Sequence, residues 1–219
     1  MKAQELIARY NGGYRDFAGV DLRGEVLDDA SLRHIGLRGA DLRSASLEGT
    51  ILSLGDLREA RMRGANLFWA TLLETDLRNA DLREADLVLA HLVDADLSGA
   101  ILMTANFRSA DMRRAKLRRA NLRHARLVGA TLMEADLERA DLQCDLEAAD
   151  LRGASLRGAN LSRAKLVGAY LVGADLTGVN LYFANLQDAN LTDAKVSRKQ
   201  LDRTWSLERA TLPDGRRVE

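Results

Sequence analysis

The chain has 219 residues, and its 32 Lys and Arg balance 32 Asp and Glu to a formal net charge of zero at pH 7. That balance argues against nucleic acid or an anionic membrane as the partner of the whole surface. One cysteine excludes an internal disulfide framework and fits a reducing compartment, and Met1–Tyr10 carry charges instead of a long apolar run, so no signal peptide or membrane span is expected and the cytoplasm is the expected location.

Leu6, Ile7 and Tyr10 fall on one face of a helix that Asn11-Gly12-Gly13 can end, which makes residues 1–14 an N-terminal capping helix. From Phe17 a beat of five residues begins and runs to Leu201. With the central residue of each unit called i, there are 38 units, Leu fills 33 of the central positions, and position i−2 is Ala in 28 of the 37 full ones. A period of five suits neither a helix nor an uninterrupted strand. In extended chain i−2 and i share a side, but the next small residue comes three positions after i and would point the other way. The chain must therefore turn at i+1 and i+2. Twelve of the 17 glycines, among them Gly39, Gly64, Gly99, Gly153 and Gly173, fall at i+2, where a turn tolerates them best. The first coil departs from the pattern at its inward places, with Arg15, Val20, Glu25 and Ile35, as expected of a solenoid end that must be capped.

Units such as Ala65-Asn66-Leu67-Phe68-Trp69 and Ala80-Asp81-Leu82-Arg83-Glu84 resemble the pentapeptide-repeat family, whose motif is Ala-(Asp/Asn)-Leu-X-X, and the resemblance covers roughly residues 15–201. It implies an all-β fold: a right-handed quadrilateral β-helix with short helical caps, four units to a coil, so that residues 20 apart stack. With coils ~4.8 Å apart the rod would be ~45 Å long. Residues 15–196 are then one solenoid, since no Pro- or Ser-rich linker interrupts them. The resemblance also implies a non-enzymatic scaffold for protein–protein interaction. Its alternative is a DNA-mimicking rod, because some members bind and protect DNA gyrase. Mimicry calls for an acidic surface, which zero net charge and outward arginines do not supply.

Along the outward positions, Asp-Leu-Arg recurs as Asp21/Arg23, Asp41/Arg43, Asp56/Arg58, Asp76/Arg78 and Asp81/Arg83, and stacking at 20 builds the columns Arg38–Arg58–Arg78 and Arg23–Arg43–Arg63–Arg83. With an acid two residues from most of these arginines, the columns read as a charge-balanced ladder and not as a phosphate track. A different region is apolar. Phe68 and Trp69 occupy i+1 and i+2 of one unit, Val88 and Leu89 the same places one coil on, and Leu73 and Val93 stack on the neighbouring face with Leu54 nearby. Such a group on a charged rod is the candidate partner-binding patch.

Between Arg108 and Arg126 the charges are nearly all basic, and the following coil is nearly all acidic; Arg114/Glu134, Lys116/Asp136 and Arg118/Glu138 are each 20 apart and are expected to pair. The beat loses a residue within Gln143, Cys144, Asp145, Leu146, Glu147 and Ala148, where Cys144 can take the small inward place. His34, His91 and His124 are scattered, so neither a metal cage, a cofactor site nor a Cys-His nucleophile is suggested, and no pair of acids stands out as a catalytic couple. After Leu191 the repeat fades. Ser197 is the N-cap of a short helix that would absorb Leu201, Leu207 and Leu212 add a partial coil, and Trp205 is expected to lid the core within a C-terminal cap and tail of residues 197–219. Tyr182 and Phe183, outward neighbours near this end, make it a candidate homodimer contact; the partner of the rod is otherwise an unidentified protein.

Overall fold

The computed structural model describes all residues, Met1–Glu219, as a right-handed four-sided β-helix between two short helices, α1 (Ala3–Asn11) and α2 (Arg198–Leu201). Each unit pairs with the unit one coil away through a parallel bridge at position i−1, as in Asp21↔Asp41, Asp41↔Arg61 and Arg61↔Asp81. The central residue donates forward, Leu22 N to Asp41 O at 2.8 Å, and the next coil donates back, Asp41 N to Val20 O at 2.8 Å. At each corner the amide of i+3 closes on the carbonyl of i, as Ala45 N does on Leu42 O at 3.1 Å. Of 159 backbone hydrogen bonds only five lie inside helices, so cohesion is between coils.

The inward set forms one continuous core of 70 buried residues, in which Ala80, Leu82, Ala85 and Leu87 are all but sealed from solvent. Alternating small and large side chains let coils stack closely without voids. Thr50 and Thr75 replace Ala at inward places, and each hydroxyl is satisfied by a carbonyl of the preceding coil, Leu27 O at 2.8 Å and Leu52 O at 3.1 Å. The residue i+2 adopts a left-handed conformation at every regular corner; Gly39, Gly64 and Gly173 sit at φ 65°, 65° and 67°. That is the physical reason for glycine at this position.

The atypical first coil holds its cap. The Glu25 carboxylate accepts the Ala3 amide at 2.9 Å and Lys2 Nζ at 2.7 Å at the start of α1, while Arg15 donates to Tyr10 O at 2.6 Å and lies 3.9 Å from the centre of the Tyr10 ring. Leu6 closes the core from above. At the other end Ser197 and Gln200 form a reciprocal capping box, and Gln200 Nε2 donates to Val179 O, a carbonyl with no further coil to receive it, and to Leu176 O, which also accepts the corner amide of Val179. Bridges Asn185↔Ser206 and Asn190↔Thr211 carry Leu207 and Leu212 onto the core as a partial coil. Trp205 does not lid it. Its side chain is 68% exposed, because Leu201 of α2 already occupies the place over the last full coil.

The missing residue falls at the corner after Leu142. Gln143 alone makes that corner, Cys144 N closes on Leu142 O at 2.7 Å, and Cys144 fills the small inward place. Asp145 is again a regular bridge residue, and Glu147 and Ala148 again form an ordinary corner, so the irregularity is confined to Gln143 and Cys144. One coil is shortened, and pairing runs Arg126↔Asp145 and Asp141↔Asn160 before returning to Asp145↔Lys165. Burial pushes the Cys144 thiol far above its ordinary value, which suits packing and not reactivity.

Candidate protein-binding surface

Four faces follow one another in each coil: units centred on residues 17, 37 and 57 lie on the first, those on 22, 42 and 62 on the second, those on 27, 47 and 67 on the third, and those on 32, 52 and 72 on the fourth. In the N-terminal half of the rod the outward charges of the first two are largely paired from within. In Asp-Leu-Arg units the aspartate accepts the arginine's own amide and then its guanidinium as a two-point fork: Arg43 Nε and Nη2 reach Asp41 at 2.8 and 2.7 Å, Arg58 reaches Asp56 at 2.8 and 2.6 Å, and Arg83 reaches Asp81 at 2.8 and 2.6 Å. These hydrogen bonds hold the Asp41, Asp56 and Asp81 carboxyls below the usual range. Asp41 is the hub, with Arg61 at 3.4 Å and Arg23 at 3.7 Å besides Arg43. Arg38, whose unit has Gly36 in place of the acid, turns instead to Glu59 one coil on at 2.9 Å.

The basic belt is only partly neutralised, and not always by the acid directly above. Arg118 does bridge Asp136 and Glu138, but Arg114 turns back to Asp94 at 2.6 Å in preference to Glu134, and Lys116, stacked on Asp136, forms no ion pair with it because Arg118 takes that carboxylate. Register brings residues into the same column; side-chain reach and competition decide which acid is used.

At the corner between the third and fourth faces the chemistry changes. Trp69 is 57% exposed, Leu89 45%, and Leu54, at the next corner along, 41%; Phe68, Leu73, Val88 and Val93 are half-buried beside them. No long side chain or end segment covers the group. Leu54, Trp69 and Leu89 hold φ of 61°, 55° and 59°, the left-handed corner conformation that twelve other units assign to glycine and most of the rest to polar or charged residues. Any residue with a Cβ gives up roughly 1–2 kcal/mol there relative to the ordinary helical hand, and these three leave a large apolar side chain partly in water where other units place a polar one. Missing from the sequence-based patch are the charges framing it in the same column, Glu48 and Arg108, which spacing at 20 would have found.

At the C-terminal end a shallow groove is lined by Val196, Leu201, Leu207, Leu212, Pro213 and Val218, and Tyr182 and Phe183 lie exposed to one side with ring centres 4.6 Å apart. No group of three or more His, Cys, Asp or Glu side chains is placed to hold a metal ion, and no helix is long and apolar enough to cross a membrane.

The sequence matches the family model "Pentapeptide repeats" over residues 16–49, 37–72, 70–108, 110–143 and 144–181. Among solved structures it is similar to HetL, a pentapeptide repeat protein involved in heterocyst differentiation regulation in the cyanobacterium Nostoc sp. strain PCC 7120, at 37% identity over 100% of both chains with a TM-score of 0.79. QnrB1, a plasmid-mediated fluoroquinolone resistance protein, shares the fold at 18% identity over 90% of this chain and 91% of its own, with a TM-score of 0.57. No curated protein matches the sequence.

Proposed function

The chain belongs to the pentapeptide-repeat family, and we propose that it is a non-enzymatic rod that binds a protein partner through the ridge formed by Phe68, Trp69, Val88 and Leu89, with Leu54, Leu73 and Val93 at its margin. One observation carries this reading: large apolar residues stand partly in water at corner positions that nearly every other unit gives to glycine or to a polar residue. A partner that takes these side chains out of water on docking gives them a role. The single buried cysteine is consistent with work in the cytoplasm. The groove at the C-terminal end, whose apolar residues alternate with Arg198, Asp202, Asp214 and Arg216, supports a second, lesser reading, a homodimer through that end. Duplex mimicry at gyrase finds no support in a surface whose acids are forked by arginines.

The test is the double substitution Trp69→Ser with Leu89→Ser. The variant is expected to melt as the parent does, since Leu67 and Leu87 rather than these residues fill the core. Its affinity for a partner captured by the parent, or for itself, is expected to fall by about 2 kcal/mol or more, the loss of a desolvated anchor. A folded variant retaining every interaction of the parent would make the ridge ordinary surface.

A further inference from the structure

The ridge is flanked by charges that the chain itself leaves unpaired. Up the rod, the outer column of this corner reads Asp28, Glu48, Phe68, Val88, Arg108 and Val128, and the inner column Asp29, Gly49, Trp69, Leu89, Ser109 and Gly129. Asp28, Asp29, Glu48 and Arg108 are exposed, and none has an opposite charge within 4.0 Å. The four middle levels are antisymmetric about the level midway between the coils of Trp69 and Leu89; beyond them Asp28 and Asp29 correspond to the neutral Val128 and Gly129. Apolar residues lie half a coil to either side; an acid, Glu48, lies one and a half coils toward the N-terminus, and a base, Arg108, the same distance the other way. Small residues, Gly49 and Ser109, flank the inner column at those same levels.

That arrangement complements itself. A two-fold axis perpendicular to the rod, placed at the middle level, sets a second rod antiparallel to the first and exchanges levels above with levels below. Apolar coil then meets apolar coil at the centre, and the Glu48 level of each copy meets the Arg108 level of the other. Two opposite-charge contacts result, one on each side, ~14 Å apart at ~4.8 Å per coil. An apolar centre with a polar rim is the anatomy of a protein interface. We infer that the ridge's partner is a second copy of this chain, docked side by side and antiparallel about an axis between Trp69 and Leu89. The inference rests on the ridge being a binding surface, and it names the occupant.

The experiment is sedimentation equilibrium of the full chain with Glu48→Arg and Arg108→Glu, each at a corner position i+1 that needs no left-handed backbone. The parent is expected to be a concentration-dependent dimer. Each single variant sets like charges against each other at both rims, and its self-association is expected to weaken about tenfold or more. An equimolar mixture of the two variants restores both opposite pairs in the mixed dimer and is expected to associate like the parent. A mixture as weak as either variant overturns the proposal, as does a dimer indifferent to both substitutions but lost on Leu207→Ser with Leu212→Ser, which would place the contact at the C-terminal end. A parent that stays monomeric at its highest soluble concentration also overturns it. If such a monomer still loses a different partner on Trp69→Ser with Leu89→Ser, the protein-binding reading stands and only its occupant changes.

Discussion

On the second face, Asp21, Asp41 and Asp81 sit before a central Leu and Arg23, Arg43 and Arg83 after it; at the corner between the third and fourth faces, the same backbone carries Phe68, Trp69, Val88 and Leu89. In the first region a spacing of two lets each acid close on its own arginine, so the charge of each is answered inside the rod. In the second nothing closes. Apolar side chains remain partly in water, and the nearest charges in the column, Glu48 and Arg108, form no ion pair. Similar coils thus yield a surface whose charges pair within the rod and one that is apolar, and the difference lies in the outward residues i−1, i+1 and i+2.

The largest expected effect lies beneath both regions. Leu82→Ala empties a fully buried place between stacked coils that cannot collapse into the gap, and should cost ~2–5 kcal/mol in a chemical melt. A melt matching the parent would contradict that burial, whereas Trp69→Ser with Leu89→Ser should leave the melt where it was.

Next comes the ladder. Asp41, with 6% of its side chain exposed, holds three arginines, and Asp41→Ala should cost ~1–2 kcal/mol, clearly more than the same change at the exposed fork of Asp21. Equal losses at the two sites would remove the distinction between hub and surface pair. The ladder also fixes the response to acid. Because the Asp41, Asp56 and Asp81 carboxyls titrate below their unfolded value, their contribution is present above that value and is lost as pH falls through the lower folded one. Melting temperature should therefore hold from about pH 8 to 5 and decline below about pH 4.

The smallest effect sharpens the comparison most. Trp69→Gly relieves a left-handed tryptophan that packs little in the free chain, so the rod should gain up to ~1 kcal/mol of stability while its association weakens. Loss of stability in that variant would mean that the indole supports the fold.

The sequence by itself determined the solenoid, its core and its columns. Ala at i−2 and Leu at i can share one side only if the chain turns between units, and that single requirement places Leu82 inside, Trp69 outside and residues 20 apart in register. It also placed the caps, through the helical spacing of Leu6 and Tyr10 and the N-cap Ser197. Tertiary structure decided the rest. Only there does the lost residue resolve to the corner at Gln143 and Cys144, Arg114 choose Asp94 over Glu134, and Trp205 stand in solvent while Leu201 covers the core. Periodicity assigns each residue a side and a column, because those follow from backbone direction; an arginine's reach exceeds the spacing between coils, so the acid it selects depends on which neighbours compete for it in three dimensions.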